Sequence, residues 1–197
     1  NFICGEGGAL IVNDPAYVER AEILREKGTN RSKFFRGEVD KYTWVDQGSS
    51  ALSSDILAAY LFAQLERHEE ITERRRAIYD RYAEQLGDLA KRECLQLPYV
   101  PAECDSNYHM FHIRTRDAET RSDLLQKFRE VRIHAVFHYV PLHTSPMGQE
   151  LGWREGDLPV TERVSDTLIR LPFYFDLSEA DQDRVLSVLH DFYGRSA

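Results

Sequence analysis

The sequence predicts a mixed α/β chain in which a long connecting helix leads into a small α+β domain. Three observations carry this reading. Ile56, Leu57, Ala59, Tyr60, Ala63, Ile71, Ile78, Tyr82 and Leu86 keep helical spacing from Asp55 to Gly87. Tyr108 to Arg114 (YHMFHIR) alternates as a half-buried strand does. Beyond it, helix and strand patterns succeed one another over about a hundred residues, the signature of an α+β module.

In chain order, Phe2-Ile3-Cys4 is apolar, Gly5-Glu6-Gly7-Gly8 turns, and Ala9-Leu10-Ile11-Val12 reads as a buried strand. Such an opening resembles mid-domain sequence, so the chain is expected to be the later part of a longer one. Its first strand would then present an unpaired edge and promote association. Asp14 is a good N-cap and Pro15 suits a first helical position; Tyr17, Val18, Ala21, Leu24 and Arg25 follow, and Gly28 is a natural stop. Residues 29–53 have no clean period. They interleave Arg31, Lys33, Arg36 and Lys41 with Phe34, Phe35, Tyr42 and Trp44, which points to a functional loop. Ser53 or Ser54 caps the long helix, a rod of roughly 45–50 Å if unbroken. Its middle (ERHEEITERRR) is nearly all charged and is read as a solvated face with no binding role.

After Leu97-Pro98-Tyr99-Val100-Pro101 come the strand 108–114, a helix 117–130 with Leu124, Leu125 and Phe128 on one face, and a second strand 133–139. A Gly- and Pro-containing loop (144–158), a short helix (161–167) and a short strand (169–172) follow. Ser178-x-x-Asp181 resembles a capping box and opens a last helix carrying Val185, Val188, Leu189 and Phe192.

The 197 residues carry 33 acidic and 25 basic side chains, a formal net charge of −8, which argues against a nucleic-acid binder. No stretch approaches the ~18 apolar residues of a membrane helix. Cys4, Cys94 and Cys104 form no C-x-x-C pair, and so sparse a set fits a reducing, cytoplasmic setting. There is no H-E-x-x-H and no G-x-S-x-G, so a metal site is not expected and nucleophile schemes do poorly. Two segments could carry chemistry. In FHYVPLHTSP, His138, Tyr139 and His143 flank Pro141 where a strand ends, a place from which His and Tyr can donate to phosphate or sugar oxygens. In the 29–53 loop, Arg31, Arg36 and Lys41 beside aromatic rings suit a pyrophosphate and a stacked base, and Gly48-Ser49-Ser50 runs towards a helix N-terminus. Strand termination and simple capping remain the plain alternatives for both.

The strings GEGGALIVND, REKGTNRSKFFRGEVDKYTWVDQGSS, SDILAAYL and VFHYVPLHTSP resemble the nucleotide-sugar aminotransferases of DegT/StrS type, over nearly the whole chain. The nearest likeness is to the branch that makes dTDP-4-amino-4,6-dideoxygalactose from dTDP-4-keto-6-deoxyglucose. The resemblance implies the C-terminal part of the aspartate aminotransferase fold. Residues 1–53 would be the tail of the large cofactor domain, 54–90 the long connecting helix and 91–197 a small domain with a short, mainly antiparallel sheet. It implies pyridoxal 5′-phosphate (PLP) on a lysine, glutamate as amino donor, a dTDP-sugar acceptor used in polysaccharide biosynthesis, and a homodimer with shared active sites. In the family that lysine directly precedes the position of Asn1. None of Lys27, Lys33, Lys41, Lys91 and Lys127 matches it, so the chain by itself should be inactive, either as a C-terminal fragment or as a chain interrupted at a PLP-bearing lysine. By the same resemblance Ser50 takes the place of an Asn that reaches the PLP phosphate of the neighbouring subunit, with Ala51 where Tyr is common. His138 and Tyr139 line the sugar pocket with His143 nearby, and Arg31 and Arg36 face the pyrophosphate. A relative that binds a nucleotide sugar without chemistry, and more remotely a His-based metal hydrolase, are the competing readings.

Overall fold

The computed structural model describes residues 1–194. The chain divides into two compact units, one from Phe2 to His68 and one from Glu69 onward together with Asn1.

In the first unit, Asp14 accepts a hydrogen bond from the Ala16 N–H at 2.9 Å and opens a 3₁₀ turn, Pro15–Tyr17, that continues into α1 (Val18–Arg25). Lys27 and Gly28 both adopt positive φ (61° and 75°), so the chain reverses there. Within the loop that follows, a short helix α2 (Arg31–Phe35) forms. The returning segment is laid against the reversal by isolated antiparallel bridges, Thr29 with Trp44 and Glu26 with Ser50. The approach is backbone on backbone: a Cβ on Gly48 would stand 1.8 Å from the Gly28 nitrogen, and one on Gly28 would stand 1.8 Å from the Asp46 oxygen. Ser54 accepts from the Leu57 N–H and caps α3 (Asp55–Leu65).

Two expectations fail here. Residues 9–12 form no strand, and Leu10 and Ile11 are 78% and 82% exposed. A strand exists by pairing, and among the described residues no segment pairs with this one. The single long helix is also two helices, α3 and α4 (His68–Gln85). At the junction Arg67 N–H turns to the Gln64 carbonyl, a tighter bond than the α-helical one, and the His68 ring nitrogen Nδ1 stands 2.9 Å from the Leu65 carbonyl oxygen. The ring takes an acceptor that the next helical turn would have used.

The second unit contains the core. α4 lays Ile78 and Tyr82 into it, and α5 (Gly87–Lys91) adds Leu89. Then come β1 (His112–Arg114), α6 (Ala118–Glu130), β2 (Val136–Phe137), α7 (Pro146–Glu150), α8 (Pro159–Thr167), β3 (Leu168–Arg170) and α9 (Glu179–Gly194). The strands are shorter than the alternation predicts, and they make an antiparallel sheet in the order β1-β3-β2. Ile113 pairs with Ile169, and both are fully buried against Phe111, Leu124, Phe128 and Leu189. The caps are where local chemistry puts them. Asp117 accepts from the Thr120 N–H, and Ser178 accepts from the Asp181 N–H while donating its hydroxyl to the Asp181 carboxylate. Tyr82, wholly buried, donates its hydroxyl to the Pro172 carbonyl at 3.1 Å, and burial pushes its pKa well up.

The charged middle of α4 is not merely solvated. Arg75 is 8% exposed, donates to the carbonyls of Tyr108 and His109, and lies 4.6 Å over the Phe173 ring; Arg74 donates to the carbonyls of Phe175 and Leu177. The aliphatic stem of an arginine can be buried while its head satisfies carbonyls that no N–H reaches.

Candidate active site

Each unit holds its own share of the residues singled out from the sequence. In the first, Arg31 stands at the start of α2 with its guanidinium carbon 5.0 Å from the centre of the Phe35 ring and 5.8 Å from that of Tyr42. One of its nitrogens lies 3.7 Å from Glu26, and its Nε is buried without a hydrogen-bond partner. The loop therefore presents a cation flanked by flat rings, as the interleaved pattern suggests. Arg36 is engaged differently. It forks onto Glu22 at 2.8 and 3.1 Å and reaches Glu38 at 2.7 Å, and these hydrogen bonds raise its pKa. It braces the loop against α1.

Ser50 is exposed, on a strip of backbone held from both sides. Ser49 N–H donates to the Leu24 carbonyl at 2.7 Å, Lys27 N–H to the Ser49 carbonyl at 3.1 Å, and Ala51 N–H to the Arg25 carbonyl at 3.1 Å. An open groove of about 1390 Å³ runs beside α1, lined by residues 8–14 and by Gly48, Ser49 and Ala51, the neighbours of Ser50. The exposed Ser50 hydroxyl on this constrained backbone can donate to an acceptor oxygen.

In the second unit, His138 and Tyr139 follow β2 directly. Their rings meet edge to face at 5.0 Å; Tyr139 is 74% exposed, while His138 is half-buried with its Nδ1 lacking a partner. The Arg170 guanidinium lies 5.9 Å from the Tyr139 ring centre. His143 is buried, and its Nε2 is 2.7 Å from Glu162, whose same oxygen accepts the Gly156 N–H. Those hydrogen bonds hold the Glu162 carboxyl below its usual pKa. His143 thus ties the 142–158 loop to α8. The segment expected as a loop over 144–158 contains the short helix α7, and a 3₁₀ turn, Leu142–Thr144, leads into it.

His109 and His112 are both held below the usual histidine pKa, first by burial and then by positive charges around them. His109 Nδ1 is 3.3 Å from the Asn1 side-chain oxygen, and the Asn1 amide donates to the Asn107 carbonyl. Tyr108, between them, has φ of +48° and is held by Arg75 and by the Ser106 hydroxyl. Sequence reasoning passed over Arg75, Glu162 and Arg170. Arg75 was hidden in a charged run, and Glu162 and Arg170 have no motif around them. Among the described residues no group of three or more His, Cys, Asp or Glu side chains could hold a metal ion, and no helix is long and apolar enough to cross a membrane.

A family model described as the DegT/DnrJ/EryC1/StrS aminotransferase family matches residues 1–190. A "pleiotropic regulatory protein" of Geobacillus stearothermophilus is 30% identical over 191 residues, 96% of this chain and 48% of that one. A dTDP-3-amino-3,4,6-trideoxy-α-D-glucose transaminase of Micromonospora megalomicea subsp. nigra is 30% identical over 190 residues, 95% of this chain and 48% of that one. Among solved structures, DesV of S. venezuelae aligns with a TM-score of 0.77 at 27% identity, covering 92% of this chain and 45% of that chain. The PLP form of a putative sugar aminotransferase of Streptococcus pneumoniae aligns with a TM-score of 0.78 at 21% identity, over 94% of this chain and 45% of that one, and shows the shared fold. The chain spans about half the length of the relatives it matches.

Proposed function

We propose that this chain, which belongs to the DegT/DnrJ/EryC1/StrS aminotransferase family, is the C-terminal half of a PLP-dependent sugar-nucleotide transaminase. The match over residues 1–190 carries the reading. The whole protein moves an amino group from glutamate to C4 of a dTDP-4-keto-6-deoxyhexose, for cell-surface polysaccharide synthesis, as a homodimer whose sites are shared. The residues up to the connecting helix belong to the cofactor domain, and the unit built on the β1-β3-β2 sheet is the small domain.

When bound, PLP supplies an electron sink for the carbon that gains or loses the amine. The chain's own residues bind and orient. Ser50 offers its hydroxyl to the cofactor phosphate. Arg31, between Phe35 and Tyr42, faces the nucleotide diphosphate, and Arg36 joins it only by leaving Glu22 and Glu38. His138 and Tyr139 offer N–H and O–H donors to sugar oxygens, and His143, tied to Glu162, keeps the loop behind them in place. The lysine that holds PLP and moves protons is expected directly before Asn1.

The test is to supply the full-length protein with PLP, glutamate and dTDP-4-keto-6-deoxyglucose. Expected products are 2-oxoglutarate and a 4-amino sugar nucleotide, identified by mass spectrometry and proton NMR. Binding of the nucleotide sugar without turnover would instead favour a non-catalytic relative. That second reading draws on the regulatory name of the Geobacillus protein. A residue other than lysine before Asn1 would decide for it.

A further inference from the structure

We propose that His109 is a positioning residue for the amino transfer: it clamps the side chain of Asn1, and through Asn1 it sets the direction in which the preceding lysine presents its amine. This rests on the transaminase reading, which expects that lysine directly before Asn1. The clamp is built from the backbone up. Residues 106–109 lead into β1, and every main-chain polar group of Tyr108 and His109 is engaged. Tyr108 N–H donates to the Ser106 hydroxyl and His109 N–H to the Asn107 side-chain oxygen, each at 3.1 Å. Arg75, buried on α4 and stacked over the Phe173 ring, donates to both carbonyls. Tyr108 keeps a φ of +48°. A non-glycine residue holds such a backbone only where its surroundings over-determine it. The His109 ring therefore leaves from a fixed point.

Asn1 is held by both ends of its amide. Its NH₂ donates to the Asn107 carbonyl, and its oxygen lies 3.3 Å from His109 Nδ1. Chemistry decides which end goes where. A carbonyl only accepts, so the NH₂ must face Asn107 and the oxygen must face the ring. That oxygen needs a donor, so His109 carries its proton on Nδ1 and leaves a lone pair on Nε2. The fold gains little from this ring. It is partly exposed and lies outside the core cluster, and the hydrogen bond it makes is the one to Asn1.

Asn1 belongs by its contacts to the second unit, while Phe2 begins the first. The clamp thus acts on one residue at the point where the chain passes from one unit to the other. Consecutive Cα atoms are tied about 3.8 Å apart across a planar peptide, so a fixed Asn1 restrains the Cα of the residue before it. A lysine side chain beyond that Cα is long and flexible, and its tip must both hold the cofactor and move a proton. A misplacement of about 1 Å can cost about a hundredfold in rate. A rigid root for the lysine is what Asn107, His109 and Arg75 supply.

The experiment uses the full-length PLP-loaded protein and compares wild type with His109→Leu, His109→Gln and His109→Asn. An asparagine side-chain nitrogen falls where Nδ1 stands, and a glutamine nitrogen falls where Nε2 stands, so only His109→Asn keeps the donor to Asn1. For His109→Leu and His109→Gln, kcat should fall about tenfold to a hundredfold while the KM values for both substrates stay within about twofold. The pH midpoint of the bound cofactor's visible absorbance should move by about half a unit or more in these two variants. His109→Asn should restore both measures to near wild type. Wild-type behaviour of His109→Leu overturns the proposal. So does a His109→Asn as impaired as His109→Leu, which would give the imidazole itself a chemical role, and so does a defect confined to one KM. If His109→Leu fails to fold by circular dichroism, His109→Gln against His109→Asn decides by the same measures. Nitrogen-15 NMR of the His109 ring separates this proposal from the reading it rests on. A proton on Nδ1 in the wild type, no longer fixed there in Asn1→Ala, supports the clamp; a ring protonated on Nε2 in the wild type overturns it whatever the activity. Were the wild type to transaminate nothing with the Nδ1 proton in place, the failure would belong to the functional reading.

Discussion

Substituting Gly48 by alanine should spring the loop that carries Ser50. The added Cβ would sit 1.8 Å from the Gly28 nitrogen and 2.4 Å from the Lys27 carbonyl carbon. Both are backbone atoms, so no side chain can rotate away. Non-bonded heavy atoms settle near about 3.5 Å, so the two segments must part by roughly 1.5 Å. Two hydrogen bonds cross that gap, Lys27 N–H to Ser49 O at 3.1 Å and Ser49 N–H to Leu24 O at 2.7 Å. Parting by that distance breaks both, at about 0.5–1.5 kcal/mol each, and residual overpacking adds about 1–3 kcal/mol. The expected destabilisation is therefore about 2–6 kcal/mol, confined to the first unit. Hydrogen exchange of the full-length protein, read at the Lys27 and Ser49 amides, measures it directly. Gly8→Ala is the control, because its Cβ would meet nothing within 4 Å. If Gly48→Ala left those two amides as protected as in the wild type, the backbone-contact argument would be refuted.

Three further outcomes are expected. Tyr82→Phe should cost about 1–3 kcal/mol in urea unfolding, because the Pro172 carbonyl loses its donor in a fully buried place; no change would mean that water replaces the hydroxyl. Asp117, held at a pKa of about 2 by the Thr120 hydroxyl and N–H and by Arg116, against a usual 3.8, stabilises the start of α6. Because the folded pKa is depressed, that contribution is complete above the unfolded value and is lost as pH falls through about 2. The Asp117 carboxyl titration followed by NMR should show it, and a midpoint near 3.8 would contradict it. Arg31→Leu should weaken nucleotide-sugar binding while leaving PLP absorbance unchanged; a loss of cofactor instead would relocate the role of this loop.

Much of the fold was legible where the cause is local. Asp14, Ser54, Asp117 and Ser178 cap helices because their side chains satisfy N–H groups two or three residues ahead, and such pairs are visible in the sequence. The faces of α6 and α9 were legible for the same reason, since Leu124 with Phe128 and Val185 with Leu189 recur at helical spacing. Features set by distant partners were not. The break between α3 and α4 turns on a ring taking a carbonyl, and the helical period runs straight through it. The strand expected at 9–12 has the right composition and no partner to pair with. At the site, the aromatic company of Arg31 was readable because the rings are interleaved with it. The capture of Arg36 by Glu22, fourteen positions earlier, was not. Arg170 escaped notice because only the pairing register puts His112 beside it.

Every buried apolar side chain among the described residues lies between Ile71 and Tyr193. The first unit is held instead by the bridges at Thr29 and Ser50 and by ion pairs such as Lys33 with Glu19 and Arg36 with Glu22. The two units should therefore answer different physical variables. Melting the second exposes hydrocarbon, so its heat capacity rises and its stability bends with temperature. Loosening the first exposes little, so it should register weakly in a calorimeter and respond to ionic strength, which screens surface charges over about 10 Å at 0.1 M salt. A thermogram would report the core that carries Arg170, and a salt titration would report the loop that carries Arg31.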